Sequence, residues 1–279
     1  MKNNFAYFIA CYGDSKNIPT LKALQAKNAK YPIYLVVGDD DPDLENYLKL
    51  SNVLIFKKSD YYGKVDELGE YSKTHKICTY SRPAIEDFAK KLNIEYIGYM
   101  FNDIIGFTLR YRKDNGVSST ANFKIDEIID MYIELLNSSD NIYAVGPPAS
   151  SFYIGVNIDK CREYTNRWMN MYIYKLDKNP PLYKANVIED LDLMMRCNSR
   201  GKLVICPFGL HANCRQAMVS EDAYGSMKLS EYLQQKSIVA SIDIGKSVRD
   251  TKIPYSKNQP KIIDEKFKKC NNYKKKTLF

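Results

Sequence analysis

Histidine is nearly absent: His75 and His211 are the only two in 279 residues. That excludes a centre built from several imidazoles and leaves oxygen ligands for any metal, a set that suits Mg2+ or Mn2+. The seven cysteines are scattered, odd in number and without a C-x-x-C pair. Such usage argues against a disulfide frame or a zinc site and for reduced thiols in a cytoplasm. G-x-G-x-x-G after the first strand, G-x-x-x-x-G-K-[ST] and G-x-S-x-G are all missing, which removes the common dinucleotide, P-loop and hydrolase signatures. No apolar run approaches the roughly 20 residues that cross a bilayer. The apolar stretch near Met1 is too short for a secretion signal and reads as a first strand.

What is present is an ordinary globular composition, 45% hydrophobic and 27% charged, long enough for one large domain or two fused halves. The first hundred residues alternate as a parallel sheet does. "FAYFIAC", "YPIYLVV", "NVLIF" and "IEYIGYMF" read as strands, and "IPTLKALQAKN" and "PAIEDFAKKLN" as helices, the latter opened by Pro83. "DPDLENYLKL" reads as a short helix with Asp41 as N-cap and Pro42 at its first position. Such a sheet expects its ligand at the carboxyl ends of the strands.

Past Phe107 the pattern changes. "FKIDEIIDMYIELLNSS" is an amphipathic helix, and "NIYAVGPPASSFYIGVN" gives two strands around a Gly-Pro-Pro turn. "DKCREYTNRWMNMYIYKL" reads as helix, "PPLYKAN" as extended, "VIEDLDLMMRCNSRG" as a helix closed by Gly201, and "KLVICPF" as a strand.

Three places carry candidate chemistry. Asn102 and Asp103 break the apolar run "IGYMFNDIIGF" at the carboxyl end of the fourth strand. An isolated charge is expensive to bury, so Asp103 either sits at a wet strand end or faces a cation. Glu189, Asp190 and Asp192 open a helix, where the macrodipole favours acids whether or not they act. His211 follows a strand, a placement equally suited to a structural histidine. The more acidic "VVGDDDPD", containing Asp39 and Asp41, follows the second strand and reads as turn and capping chemistry.

The order of these places resembles the glycosyltransferase A fold, and more closely the phage TET-associated DNA-base glycosyltransferase family. "FNDI" stands for its acidic motif, "AVGPPAS" for its glycine loop, "IED" for its xED helix and His211 for its late metal-binding histidine. Arg82-Pro83, "EDLDL" and Gly201-Lys202 match the family's RN, eDvdf and Gk positions, over about residues 5 to 215. The resemblance implies a three-layer α/β/α sandwich with a mostly parallel central sheet. It implies a domain over 1–215, with 1–107 as nucleotide half and 108–215 as acceptor and metal half, followed by an extension over 216–279. The implied reaction moves a sugar from a nucleoside diphosphate sugar, a UDP-sugar above others, to a hydroxyl. Donor contacts fall to Cys11, Tyr12, Gly13, Asp39, Arg82, Asn102 and Asp103, a Mn2+ or Mg2+ ion to Asp103 and His211, and the base to Asp190, with Glu189 second. The family's usual DDD is Asn102-Asp103-Ile104 here, so a single carboxylate remains and less charge faces a metal.

The net charge of +8 is concentrated at the end, where nine lysines after Asp250 outnumber Asp250, Asp264 and Glu265. Clustered lysines supply affinity for a phosphate backbone, though a solvated end is the plainer reading. With a hydroxymethylated base in phage DNA as acceptor, made in the cytoplasm of a bacterial host, the tail has a use. A glycosyltransferase for cell-surface glycans and a non-catalytic nucleotide- or DNA-binding module on the same fold remain the rivals.

Overall fold

The computed structural model describes residues 3–64, 80–112, 118–148, 170–176, 200–207 and 209–214, together with Leu193, Arg196 and Cys197. Among these described residues, ten strands fall into two sheets. The larger has the order β3-β2-β1-β4-β8-β7-β9, built from β1 (Phe5–Cys11), β2 (Ile33–Gly38), β3 (Val53–Phe56), β4 (Tyr96–Phe101), β7 (Ile142–Val145), β8 (Met171–Lys175) and β9 (Leu203–Ile205). All its pairings are parallel except those of β8, which runs against both β4 and β7. The smaller sheet, β10-β5-β6, joins β5 (Ile104–Arg112), β6 (Ser118–Ala121) and β10 (Leu210–Cys214) in antiparallel fashion.

Every residue of β1 is buried, as expected of a central strand covered on both faces. Alternation divides the core in two. Phe8, Ala10, Val36, Ile97, Tyr99, Tyr172 and Tyr174 face α3 (Ser81–Lys91). Tyr7, Ile9, Leu35, Val37, Met100, Met171 and Ile173 face the layer of α1 (Pro19–Ala26) and α4 (Ile125–Asn137). In α4 the buried Ile125, Ile129, Tyr132, Ile133 and Leu136 follow the helical period and form one stripe. Left-handed Asn28 and Asn93 terminate α1 and α3 where glycine is commoner; Ile94 N–H returns to the Ala89 carbonyl at 2.8 Å.

Several expectations are corrected. The second helix, α2, is only Leu44–Tyr47 with Asp43 at its N-cap, so Asp41 does not cap it and Pro42 precedes it. Helix α3 starts at Ser81, and Pro83 is its third residue, still within the turn where a missing N–H is harmless. The segment read as helix up to Leu176 supplies β8 instead. Met171 to Tyr174 are buried between β4 and β7, and pairing on both sides overrides helix propensity. The apolar run 97–107 is two strands in two sheets, parted by the Asn102–Asp103 turn. A boundary at residue 107 would therefore cut β5.

Candidate functional site

β1, β2 and β4 end together at the carboxyl edge of the large sheet, because Ala10 pairs with Phe101 and Cys11 with Val37. The loops after them make one rim. Gly13 has a φ of +79°, and its N–H donates to Asp41 Oδ2 at 2.9 Å. Ser15 N–H donates to Asp43 Oδ2 at 2.7 Å, and Asp43 N–H donates to Asp41 Oδ1 at 2.8 Å. The acids after β2 thus hold the loop after β1. Burial raises the Asp41 pKa against the two N–H donors, whereas the Ser15 and Asn46 bonds hold half-exposed Asp43 down at about 2.

Asp39 is exposed and accepts Lys58 N–H at 3.0 Å, while Asp40 pairs with the buried Lys58 ammonium at 2.8 Å. Tyr12 and Gly13 are half-buried on the rim. Cys11 turns inward, its Sγ lying 3.5 Å from the Ile9 carbonyl, so any donor contact from it is through the backbone.

Arg82 is fully buried. Its guanidinium lies 4.9 Å from the Tyr99 ring centre, 5.6 Å from Tyr172 and 5.7 Å from Phe101. Stacking on aromatic faces offsets part of the desolvation of that charge. It therefore sits beneath the edge, inside the α3 layer, and pins that helix to β4 and β8.

The turn carrying Asn102 and Asp103 is held from two directions. Thr20, buried at the start of α1, donates its hydroxyl to the Phe101 carbonyl at 2.6 Å and accepts Ile104 N–H at 3.0 Å. The hydroxyl is thus inserted where a simple turn would bond the carbonyl of one residue to the N–H three further on. From the other side Asn170 donates from Nδ2 to Asp103 Oδ2, and its own carbonyl accepts Phe101 N–H at 3.0 Å. Asn170 reaches the site because β8 runs antiparallel and so begins at the carboxyl edge.

His211 is not beside Asp103. It pairs with Thr108, while Cys214, three residues or about 10 Å of extended strand further along β10, pairs with Ile104 at the turn. Burial, helped by the Arg110 charge, lowers its pKa to about 4, so it is neutral at physiological pH. The β10 residue beside the turn is Cys214, which pairs with Ile104 and whose thiol pKa is pushed up by burial and by the Asp103 charge. Among the described residues no three His, Cys, Asp or Glu side chains gather as a metal site. The register places Cys214, not His211, directly beside the Asp103 turn. Glu189 and Asp190 lie outside the described residues.

Thr20, Asn170 and Cys214 carried no sequence signal of comparable strength. The one hint was a polar Thr20 on a helix face that is otherwise made of Pro19, Ala23 and Leu24.

A mostly parallel sheet with one reversed strand, ligand loops on its carboxyl edge and a carboxylate turn after the fourth strand defines the glycosyltransferase A class of α/β fold. The sequence model of the TET-associated glycosyltransferase family matches residues 5–212, and the chain belongs to that family. It is a glycosyltransferase. Among solved structures, glucosyl-3-phosphoglycerate synthase from Mycobacterium tuberculosis with Mg2+ and uridine diphosphate is similar at 8% identity. That match covers 90% of this chain and 82% of the other, with a TM-score of 0.49. The same synthase with Mn2+, UDP-glucose and glycerol 3-phosphate matches at 8% identity over 92% and 85%, TM-score 0.47. A cytidylyltransferase from Leptospira borgpetersenii matches at 14% identity over 90% and 99%, TM-score 0.36. Likeness at this level leaves the substrates to the chain's own residues. No curated protein matches the sequence.

Proposed function

We propose that the chain moves a sugar from a UDP-sugar to the hydroxyl of a hydroxymethylated base in DNA. The observation that supports the donor half is the meeting of the Gly13 loop and the Asp103 turn on one rim. The loop 11–16 wraps the nucleoside, with Tyr12, Gly13 and Asp39 at its exposed side. Asp103 and Asn102 face the diphosphate, and the buried Arg82 places a positive charge beneath the leaving group, where low dielectric strengthens it. Asp190 takes the proton of the acceptor hydroxyl, with Glu189 as the second candidate.

The family is metal-using by resemblance, and Mn2+ or Mg2+ stands in the mycobacterial complexes. Here Asp103 is the carboxylate that would hold a bound ion, with diphosphate oxygens of the donor and water completing its shell. Its chemistry, when bound, is to neutralise the leaving diphosphate.

The acceptor half is supported by the lysine-rich segment after Asp250. Mass spectrometry of hydroxymethylated DNA incubated with a panel of sugar nucleotides tests it. One sugar added per modified base is expected, from a UDP-sugar before others. Donor hydrolysis without any transfer to DNA would sink the acceptor assignment and leave the donor site standing.

A further inference from the structure

We propose that Thr20 and Asn170 are positioning residues that together fix Asp103 toward the donor. The proposal rests on the reading of Asp103 as the donor-facing carboxylate. Asp103 belongs to a two-residue turn between strands of two different sheets, so no single sheet ladder sets its direction. The Thr20 hydroxyl replaces the direct bond across the turn, donating to the Phe101 carbonyl and accepting Ile104 N–H. The backbone on both sides of Asn102 and Asp103 therefore follows the first turn of α1. Asn170 fixes the side chain itself through its amide bond to Oδ2, and its own main chain is tied to Phe101.

Asn102 and Ile104 flank Asp103, so the turn offers one carboxylate. An acid acting alone has no neighbour to substitute for it when its rotamer drifts. Groups that orient a functional carboxylate without touching the ligand typically affect affinity or activity 10- to 100-fold, roughly. Thr20 is suited to the role because it is fully buried and its one hydroxyl both donates and accepts. Valine has the same shape and can do neither.

The experiment compares Thr20→Val, Thr20→Ser, Asn170→Ala and Asp103→Ala, singly and as doubles with Asp103→Ala. Thr20→Val and Asn170→Ala are expected to lower kcat/KM for the donor by roughly 10- to 100-fold. Thr20→Ser, which keeps the hydroxyl, is expected within about 3-fold of wild type. In the Asp103→Ala background, either change adds less than about 2-fold, because a residue acting through Asp103 has nothing left to position. Hydrogen exchange at the Ile104 amide gives a readout apart from activity: faster in Thr20→Val, protected in Thr20→Ser.

Equal damage from Thr20→Ser and Thr20→Val, or losses that multiply with Asp103→Ala, would overturn the proposal. So would an Ile104 amide as protected in Thr20→Val as in wild type. Normal turnover in Asp103→Ala refutes the donor-site reading, and the clamp with it. A crippled Asp103→Ala beside an unaffected Thr20→Val refutes the clamp alone.

Discussion

At the residue scale the acidic side chains divide by what holds them. Asp41 and Asp43 spend their oxygens on the backbone of the neighbouring loop, so their removal should loosen that loop before it touches chemistry. Asp103 stands in a turn between the two sheets and is bonded by another side chain, so Asp103→Ala should lose transfer while its melting temperature stays near wild type. Asp190→Asn should cost at least ~10²-fold in turnover with donor affinity largely kept, the pattern of a lost base. A variant that loses donor binding and keeps its turnover would instead make Asp190 a donor ligand. His211→Ala supplies the matching control: Mn2+ affinity measured by titration should equal that of wild type, since the strand register places Cys214, and not His211, beside the Asp103 turn. A large drop in affinity would restore it as a ligand.

At the element scale α3 carries a second buried ionisable group. Glu86 is buried against Tyr174, whose hydroxyl donates to Oε1 at 3.4 Å, and burial raises its pKa to about 7, with Lys90 pulling the other way. In the unfolded chain a glutamate ionises near pH 4.5. Between that pH and about 7 the unfolded state therefore releases a proton that the folded state keeps. Stability falls through this window as pH rises and levels off above it. Glu86→Gln should be close to neutral in stability near pH 4 and raise it near pH 8 by up to about 3 kcal/mol. Thermal melts at the two pH values check this, and an equal effect at both would show that Glu86 ionises normally.

Elements were legible in proportion to their burial. β1 to β4 and α4 read directly, because their apolar runs and stripes have one explanation each. β5 and β6 did not, because "TLRYR" and "SSTA" hold too few apolar residues to announce a buried face. β8 was hidden for another reason: four consecutive buried residues serve a doubly covered strand and a buried helix equally well. Misreading β8 concealed Asn170, whose importance depends on which end of the strand it begins. The acidic turn could be placed from its position after a strand, whereas its clamp joins residues 67 and more apart in sequence and no local pattern announces it.

At the scale of the whole molecule the charge is lopsided. Removing residues 268–279 deletes Lys268, Lys269, Lys274, Lys275 and Lys276. If they neutralise DNA phosphates, the shortened protein binds duplex more weakly and with a shallower salt dependence, by roughly 0.9 log units for each phosphate no longer neutralised. Its donor hydrolysis without acceptor should stay unchanged, because the donor rim lies on the sheet. Equal salt slopes for the two proteins would remove the charge argument for a nucleic-acid acceptor. No helix among the described residues is long and apolar enough to cross a membrane.

The reversed strand β8 also bears on how the molecule comes into being. β1, β2 and β3 find one another across short connections, but β4 meets β8 only after a segment of about seventy residues has looped back. Closing such a loop is entropically unfavourable and is recovered only when the pairing is complete, so contacts of this kind form late. Asn170 arrives with β8, and its bond to Asp103 can form only then. On the clamp proposed above, a chain that has paired only its first four strands would have the Thr20 half of the clamp and lack the Asn170 half. If the clamp acts as proposed, full activity should appear only once β8 has joined the sheet.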